Sequence, residues 1–337
     1  MKNKITIHDL ARILKKDSST ISRALADSPR VTKKTRDLIQ AKAKELGYFR
    51  NTLASNLRSQ KTRTIGVVVP RISRYFLSTA IAGIEEIAFE NNYRVIIGQS
   101  MDQLDKERQL IETLLSSQVD GIIMSMAMET NQYDHLERIV AQKTPIVFFD
   151  RRCDAIPANN ILIDDCARAF DATEHLILSG RKRIAHFTGL ENVSIYQDRL
   201  TGYKQALQKY NLTEDPTLIY KSSLKSQDGK QLANLILSLK QKPDAIFSAN
   251  DIAAISCMQV LQESGINVPK DIAIVGFSNE PLGAYTTPSL TSVNQSPLEM
   301  GKMAIATLLN QIENPDAKLE TKLIDSSLIL RNSSMIQ

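Results

Sequence analysis

Residues 6–25 read TIHDLARILKKDSSTISRAL. Ile7, Leu10, Ala11 and Leu14 recur at helical spacing, and Thr6 with Asp9 three positions on forms a capping-box start. Lys15, Lys16 and Asp17 break the pattern. A second helix follows from Ser18 to Leu25, with Asp17 or Ser18 as its N-cap. Ile21, Ala24 and Leu25 face inward, whereas Ser18, Ser19, Thr20, Ser22 and Arg23 stay polar. Thr32 is expected to cap a third helix running to Leu46, which Gly47 ends. Such a plan fits a helix-turn-helix unit or a plain three-helix bundle, and the pattern alone is compatible with both. In a helix-turn-helix unit the hydroxyl-rich second helix enters the major groove, and its first side chains reach base edges. Arg23 would read guanine or hold a phosphate.

Charge separates the chain in two. The whole carries +5, but residues 1–63 hold 16 Lys or Arg against five acids, so the rest is net acidic. A basic head on an acidic body points to nucleic acid as the partner of the head. Thr6, Arg30 and Thr35 complete the head residues expected to touch DNA. Residues 51–59, NTLASNLRS, are too short for a stable helix in water and read either as a segment that folds on docking or as a linker.

Composition narrows the function. An apolar content of 42% supports true cores. Cys153, Cys166 and Cys257 lie far apart, and no CxxC or Cys/His cluster occurs, so no metal is expected. No Walker A, G-x-S-x-G or Rossmann glycine pattern is present. His8, His135, His175 and His186 fall in helical or strand patterns rather than beside a nucleophile. Neither catalysis nor a cofactor is expected. With no apolar leader and no stretch able to span a bilayer, the expected location is cytoplasmic, with no membrane partner.

From Thr64 short β-branched runs alternate with longer helical patterns. The runs are 65–69, 95–97, 121–124, 145–149, 184–187, 245–247 and 272–277; the helices are 77–90, 105–115, 166–178, 199–209, 229–239, 253–263 and 298–312. This alternation implies parallel sheets covered on both faces. The length is too great for one such sheet, so two α/β lobes are expected. Ligands bind such sheets beyond the carboxyl ends of the strands. Asp150–Arg151 follow PIVFF, Asn250–Asp251 follow AIFSA, Ser278–Asn279 follow AIVGF, and Ser125 follows GIIM. Tyr75–Phe76 follow VVVPRIS, and Arg199 is expected to open the helix of DRLTGY. Any one of these fits a helix cap; their recurrence at several strand ends suits a polyhydroxylated ligand, whose neighbouring hydroxyls an Asp, Asn or Arg can bind in pairs.

The motifs TIHDLARIL, STISRAL, RVTKKTRDLIQAKAKELGY, NTLASNLRS and TRTIGVVVP, in this order, resemble the LacI–GalR family of bacterial repressors. SGRKRIAHFTG, DRLTGYKQAL, PDAIFSANDIAA, VPKDIAIVGFSNEP and PSLTSVNQ extend the resemblance almost to the C-terminus. The resemblance implies an α/β chain: an N-terminal three-helix helix-turn-helix domain plus hinge helix, followed by a two-lobe periplasmic-binding-protein-like effector domain with parallel sheets. The implied divisions are a head at 1–50, a hinge helix and linker at 51–63, an N-lobe at 64–162 with 291–323, and a C-lobe at 163–290 with 324–337. By this resemblance Asn51, Ala54, Leu57 and Arg58 contact DNA, with Leu57 wedged into a base step of the minor groove. Asp150, Arg199 and Asn250 match effector-contacting positions, with Asp251 beside them, and Tyr75, Phe76 and Ser125 line the cleft.

Three departures stand out. Lys15–Lys16–Asp17 replaces a glycine-led turn, which is therefore expected to be built differently, since positive φ costs a non-glycine residue about 1–2 kcal/mol. Ser278–Asn279 replaces an acid. Leu224 stands where an aromatic platform is usual. The implied function is a sequence-specific DNA-binding transcriptional regulator, repressor favoured over activator, controlled by a small-molecule effector for which a sugar or sugar derivative is favoured. A purine-type effector, or a solute-binding sensor without a DNA role, is the alternative. The implied partners are a near-palindromic double-stranded DNA operator and a second copy of the chain; no heptad segment follows the body, so a homodimer is expected, with helices 77–90 and 105–115 as candidate dimer faces.

Overall fold

Thr6 starts the first helix, α1 (Ile7–Leu14), through the reciprocal bonds its spacing predicts: its hydroxyl oxygen accepts from the Asp9 N–H, and its own N–H donates to the Asp9 carboxylate at 3.0 Å. The computed structural model describes residues 5–25, 27–48 and 61–335. The chain forms two compact units, Met1–Thr62 and Arg63–Gln337. Asn51, Ala54, Leu57 and Arg58 lie outside the described residues.

In the head, α2 (Ser18–Leu25) and α3 (Lys33–Glu45) complete a three-helix core. Leu10, Ile21, Ala24 and Ile39 are fully buried, with Val31 and Ala43 beside them. The turn between α1 and α2 is not built differently. Lys15 takes the left-handed conformation itself (φ 49°, ψ 46°), and its N–H closes onto the carbonyls of Ala11 and Arg12. Hydrogen bonding within the turn offsets the strain of a side chain at positive φ. Thr32 does sit at the N-cap of α3, but its hydroxyl donates to Thr35 Oγ1 at 2.9 Å instead of accepting from the first turn. Relief of the Lys15 strain is measurable. Lys15→Gly removes a penalty of about 1–2 kcal/mol and adds about 0.5–1 kcal/mol of unfolded-state entropy. The head is expected to gain about 0.5–1 kcal/mol, read as a higher melting temperature; an unchanged or lower one would show the turn to be unstrained.

The body runs β1 (Thr64–Val69), α4 (Tyr75–Glu90), β2 (Arg94–Gln99), α5 (Leu104–Ser116), β3 (Gly121–Met124), α6 (Asp134–Ala141), β4 (Ile146–Phe149) and β5 (Asn159–Leu162). It continues with α7 (Asp165–Leu178), β6 (Ile184–Thr188), α8 (Ser194–Lys209), β7 (Ile219–Lys221), α9 (Ser226–Ser238), β8 (Ala245–Ser248), α10 (Asp251–Glu263) and β9 (Ala273–Phe277). The last elements are α11 (Pro281–Tyr285), β10 (Thr291–Asn294), α12 (Pro297–Glu313), β11 (Thr321–Leu323) and β12 (Ser327–Ile329). Two six-stranded sheets result, ordered β11-β5-β4-β3-β1-β2 and β12-β10-β9-β8-β6-β7.

The first sheet is parallel throughout. The second departs from expectation at one edge, where β12 runs antiparallel to β10. Only three residues separate β11 from β12, too few for a crossover helix, so the chain enters the second sheet reversed. Thr291 was expected to open a return to the first lobe. Instead β10 pairs with β9, Thr291 opposite Val275, and the return begins with α12.

Helix–helix contact inside the first lobe depends on glycine. A Cβ on Gly83 of α4 would lie 2.3 Å from the Leu298 carbonyl oxygen of α12, and one on Gly301 would lie 2.0 Å from that of Ala80. Their absence lets the two backbones touch. One apolar cluster then continues through both lobes, from Val67 and Ile84 in the first to Phe247 and Phe277 in the second.

Candidate functional site

The cleft between the lobes is built from strand ends. Asp150, one residue beyond β4, adopts φ 60° and is almost fully buried. Burial raises its carboxyl, with Arg151 and Arg199 pulling the other way. Ser125, just beyond β3, lies buried beside it. Arg199 does not open its helix: α8 begins at Ser194, placing Arg199 more than a turn inside. There its Nε donates to Asp165 Oδ1 at 2.8 Å and its Nη1 to the Ala249 carbonyl at 2.7 Å. Its guanidinium lies 3.7 Å over the Phe277 ring. Its Nη2 is buried with no hydrogen-bond partner. A buried donor left open in a cleft wall is costly unless a ligand or water completes it.

Asp165, the first residue of α7, went unnoticed in the sequence because it reads as an ordinary first-turn acid. Burial pushes its carboxyl up to about 7, against the pull of Arg199. Asp102 was also missed. Burial opposes its charge, yet Arg151 at 2.8 Å and Arg71 at 3.0 Å outweigh this and hold its carboxyl below the usual range. It stands three residues beyond β2, and the strand-end criterion that found Asp150 would have found it too.

Of the residues expected in the cleft, Phe76, Asp150, Arg199, Asn250, Asp251 and Ser278 line it, around a space of about 730 Å³ that includes open solvent. Tyr75, Ser125, Leu224 and Asn279 do not. Tyr75 is 40% exposed. Leu224 is fully buried in the second-lobe core and gives its carbonyl to Asn250 Nδ2 at 2.9 Å, so the platform role falls to no side chain at that position. Asn279 Oδ1 accepts from Arg331 at 2.7 Å and anchors the C-terminal segment. Asn250 Oδ1 also caps α10 through the Ala253 N–H, so each end of its amide already holds one structural bond. Tyr196, Gln295, Arg74, Lys225 and Glu280 also line the wall and were not singled out from sequence.

Asp251 bears on stability. Its carboxylate accepts from the Ser292 hydroxyl and the Glu280 N–H, both at 2.7 Å, yet burial pushes it up to about 6. The folded chain therefore keeps a proton that the unfolded chain releases near 4. The stability from this group is full below about pH 4 and is lost as pH rises through 6. Urea denaturation of Asp251→Asn across pH 4–7 is expected to lack that share of the slope; a slope identical to wild type would refute the assignment.

Two of the histidines are absorbed by packing. His186 stacks between Tyr203 and Phe247, and burial pushes it down to about 4. His135 pairs with buried Glu107 at 2.9 Å.

On the head, Ser19, Arg23 and Arg30 are exposed, and Thr20 and Ser22 are half-buried along α2. Ser18 Oγ lies 3.3 Å from His8 Nδ1. The hydroxyls of Thr6 and Thr35 are engaged at the starts of α1 and α3. One face of a compact helical unit thus presents hydroxyls and cations.

The same order of head, cleft and lobes recurs in known proteins. The HTH-type transcriptional repressor CytR of Escherichia coli (strain K12) is 31% identical over 329 residues, 98% of this chain and 96% of that protein. Catabolite control protein A of Priestia megaterium is 33% identical over 326 residues, 96% of each. The chain belongs to the LacI–GalR family of transcriptional regulators. Within this LacI–GalR chain, a family model described as a periplasmic binding protein-like domain matches residues 173–334. The crystal structure of transcription regulator CcpA of Lactococcus lactis has a TM-score of 0.75 at 28% identity, covering 81% of this chain and 99% of that one. A lac repressor dimer bound to operator reaches 0.88 at 24% identity, covering 99% and 100%, a likeness of fold alone.

Proposed function

We propose that this LacI–GalR regulator binds a near-palindromic operator as a homodimer and that a small polyhydroxylated effector in the interlobe cleft sets its DNA affinity. The observation that carries the effector half is Arg199, a residue of the cleft wall: a guanidinium stacked on Phe277 and held by Asp165, with its buried Nη2 lacking a hydrogen-bond partner. An effector that binds one arrangement of the lobes better than another shifts the population of both. The head contributes Ser18, Ser19, Thr20, Ser22, Arg23 and Arg30 to the major groove and its backbone. Asn51, Ala54, Leu57 and Arg58 complete the contact in the minor groove. The protein acts by binding rather than by catalysis, in keeping with relatives named as transcriptional regulators. Its place is the cytoplasm, and no helix of the described residues is long and apolar enough to cross a membrane. Phe89, 81% exposed at the end of α4, favours that helix as part of the dimer face.

Fluorescence polarisation with a pool of palindromic DNA duplexes, titrated against salt and small molecules, tests this reading. Tight binding that weakens steeply with salt and changes with one compound is expected. A folded protein that binds no duplex at any salt concentration would overturn it.

A further inference from the structure

The loop after β3 is anchored in one lobe and reaches into the other. The Met126 and Glu129 N–H groups donate to the carbonyls of Arg151 and Asp102 within the first lobe. Glu107 of α5, fully buried, accepts from the Ala127 N–H at 2.6 Å and the Thr130 hydroxyl at 2.7 Å, and lies 2.9 Å from His135 Nε2. A buried carboxylate is stable only with such partners, so Glu107 and the loop fix one another.

Met128, in the middle of this loop, goes the other way. Met126 beside it packs into a first-lobe cluster, but Met128 does not. Its buried side chain packs with a cluster that includes Phe187, Val193, Ile195 and Tyr196 and whose other members all come from the second lobe. Its carbonyl accepts from Asn192 Nδ2, just ahead of α8. A further tie runs between the same lobes, where Arg152 Nη1 donates to Asp198 Oδ2 of α8 at 2.9 Å. The chain itself joins the lobes after Leu162, Asn294 and Leu323. None of Met128, Arg152, Asn192 and Asp198 belongs to those connections, so chain continuity does not impose their contacts. A thioether on an unbranched stem suits a contact that is made and broken, because it fits an irregular gap without a fixed partner geometry.

Resting on the reading that lobe arrangement carries the effector signal, we infer that Met128, Asn192 and the Arg152–Asp198 pair form a clasp that holds the lobes together before any ligand binds. The clasp sets the population of the clasped arrangement in the free protein. The apparent affinity of an effector that needs this arrangement scales with that population. Met128 also lines the cleft, whereas Arg152, Asn192 and Asp198 do not, so the clasp can be altered without touching the cleft wall.

Two variants of the full chain test this without a ligand. In Met128→Asp the clasped arrangement would bury a carboxylate among second-lobe apolar groups, which favours separation by at least 100-fold. Asn192→Ala with Asp198→Lys removes one hydrogen bond and turns the ion pair into a repulsion, for about 10-fold. Asn192 and Asp198 are exposed and half-buried, so this variant keeps the test open if Met128→Asp does not fold. Interlobe distance is read by double electron–electron resonance between nitroxides at Glu137→Cys of α6 and Gln231→Cys of α9, both exposed, in a Cys166→Ser background; Cys153 and Cys257 are buried. A dominant distance in the parent is expected to give way to a separate one in the variants, with far-ultraviolet circular dichroism unchanged. An unaltered distance distribution in folded variants would overturn the inference and leave the cleft as the effector site. Altered distances with operator affinity unchanged in polarisation would retain the clasp and overturn the reading that lobe arrangement sets DNA affinity.

Discussion

Ile21→Ala is expected to abolish operator binding while the body melts as in wild type. Ile21 is fully buried at the centre of the head, against Leu10, Ala24 and Ile39. Removing three carbons from such a site costs about 2–5 kcal/mol. The head unit spans only Met1–Thr62, and at about 0.05–0.15 kcal/mol per residue its whole stability is of the same size. The variant head should therefore be largely unfolded at ambient temperature. Because α2 carries the candidate base contacts, DNA affinity should fall at least 100-fold. Calorimetry would show the body transition retained, and polarisation would show operator binding lost. Wild-type DNA affinity in this variant would mean that the head is not the DNA-binding unit.

The second large effect is at Arg199. Arg199→Met keeps the bulk over Phe277 but strips Asp165 of its cation and the Ala249 carbonyl of its donor. Removing one partner of a buried ion pair costs about 3–5 kcal/mol. Here the cost should depend on pH, because burial already pushes Asp165 up to about 7 and a protonated carboxyl needs no cation. Destabilisation is expected to be greatest at pH 8 and smaller at pH 5. Adding Asp165→Asn should recover part of the stability without recovering the response to effector, which needs the guanidinium itself. Urea denaturation of the single and double variants at both pH values decides the matter. A loss below about 1 kcal/mol at pH 8 would show that the pair is not the anchor of the site.

The head was legible from the sequence because local rules decide it. The Thr6–Asp9 spacing and the inward set Leu10, Ile21 and Ala24 need no distant contact to be read. The major strands of the body were legible as apolar runs, since a parallel strand buried on both faces shows no alternation. The missed strands are short ones: β7, β11 and β12 at sheet edges, and β5 and β10 inside their sheets. β7, β11 and β12 have three residues each, and β5 reads Asn-Asn-Ile-Leu. Their pairing is set by neighbours far along the chain rather than by their own composition. The site divides likewise. Strand-end logic singled out Asp150, Asn250, Asp251 and Ser278, which all line the cleft, yet Asn250 proved to be a helix cap bonded to Leu224, and that depends on two loops meeting. Arg199 was found by motif, but its partner Asp165 could not be, because 34 residues separate them. The Lys15 turn ran opposite to expectation: closing hydrogen bonds outweighed a local propensity.

The path of the chain through the body has a consequence for how such regulators diversify. The head is one continuous segment, so a single genetic crossover can transplant it. The lobes are interleaved: the chain passes between them after Leu162, after Asn294 and again after Leu323. No single crossover can exchange one lobe whole. Recombination can therefore pair a new operator preference with an old sensor in one step, whereas a new sensor must arise by point changes in the cleft or arrive as the entire body.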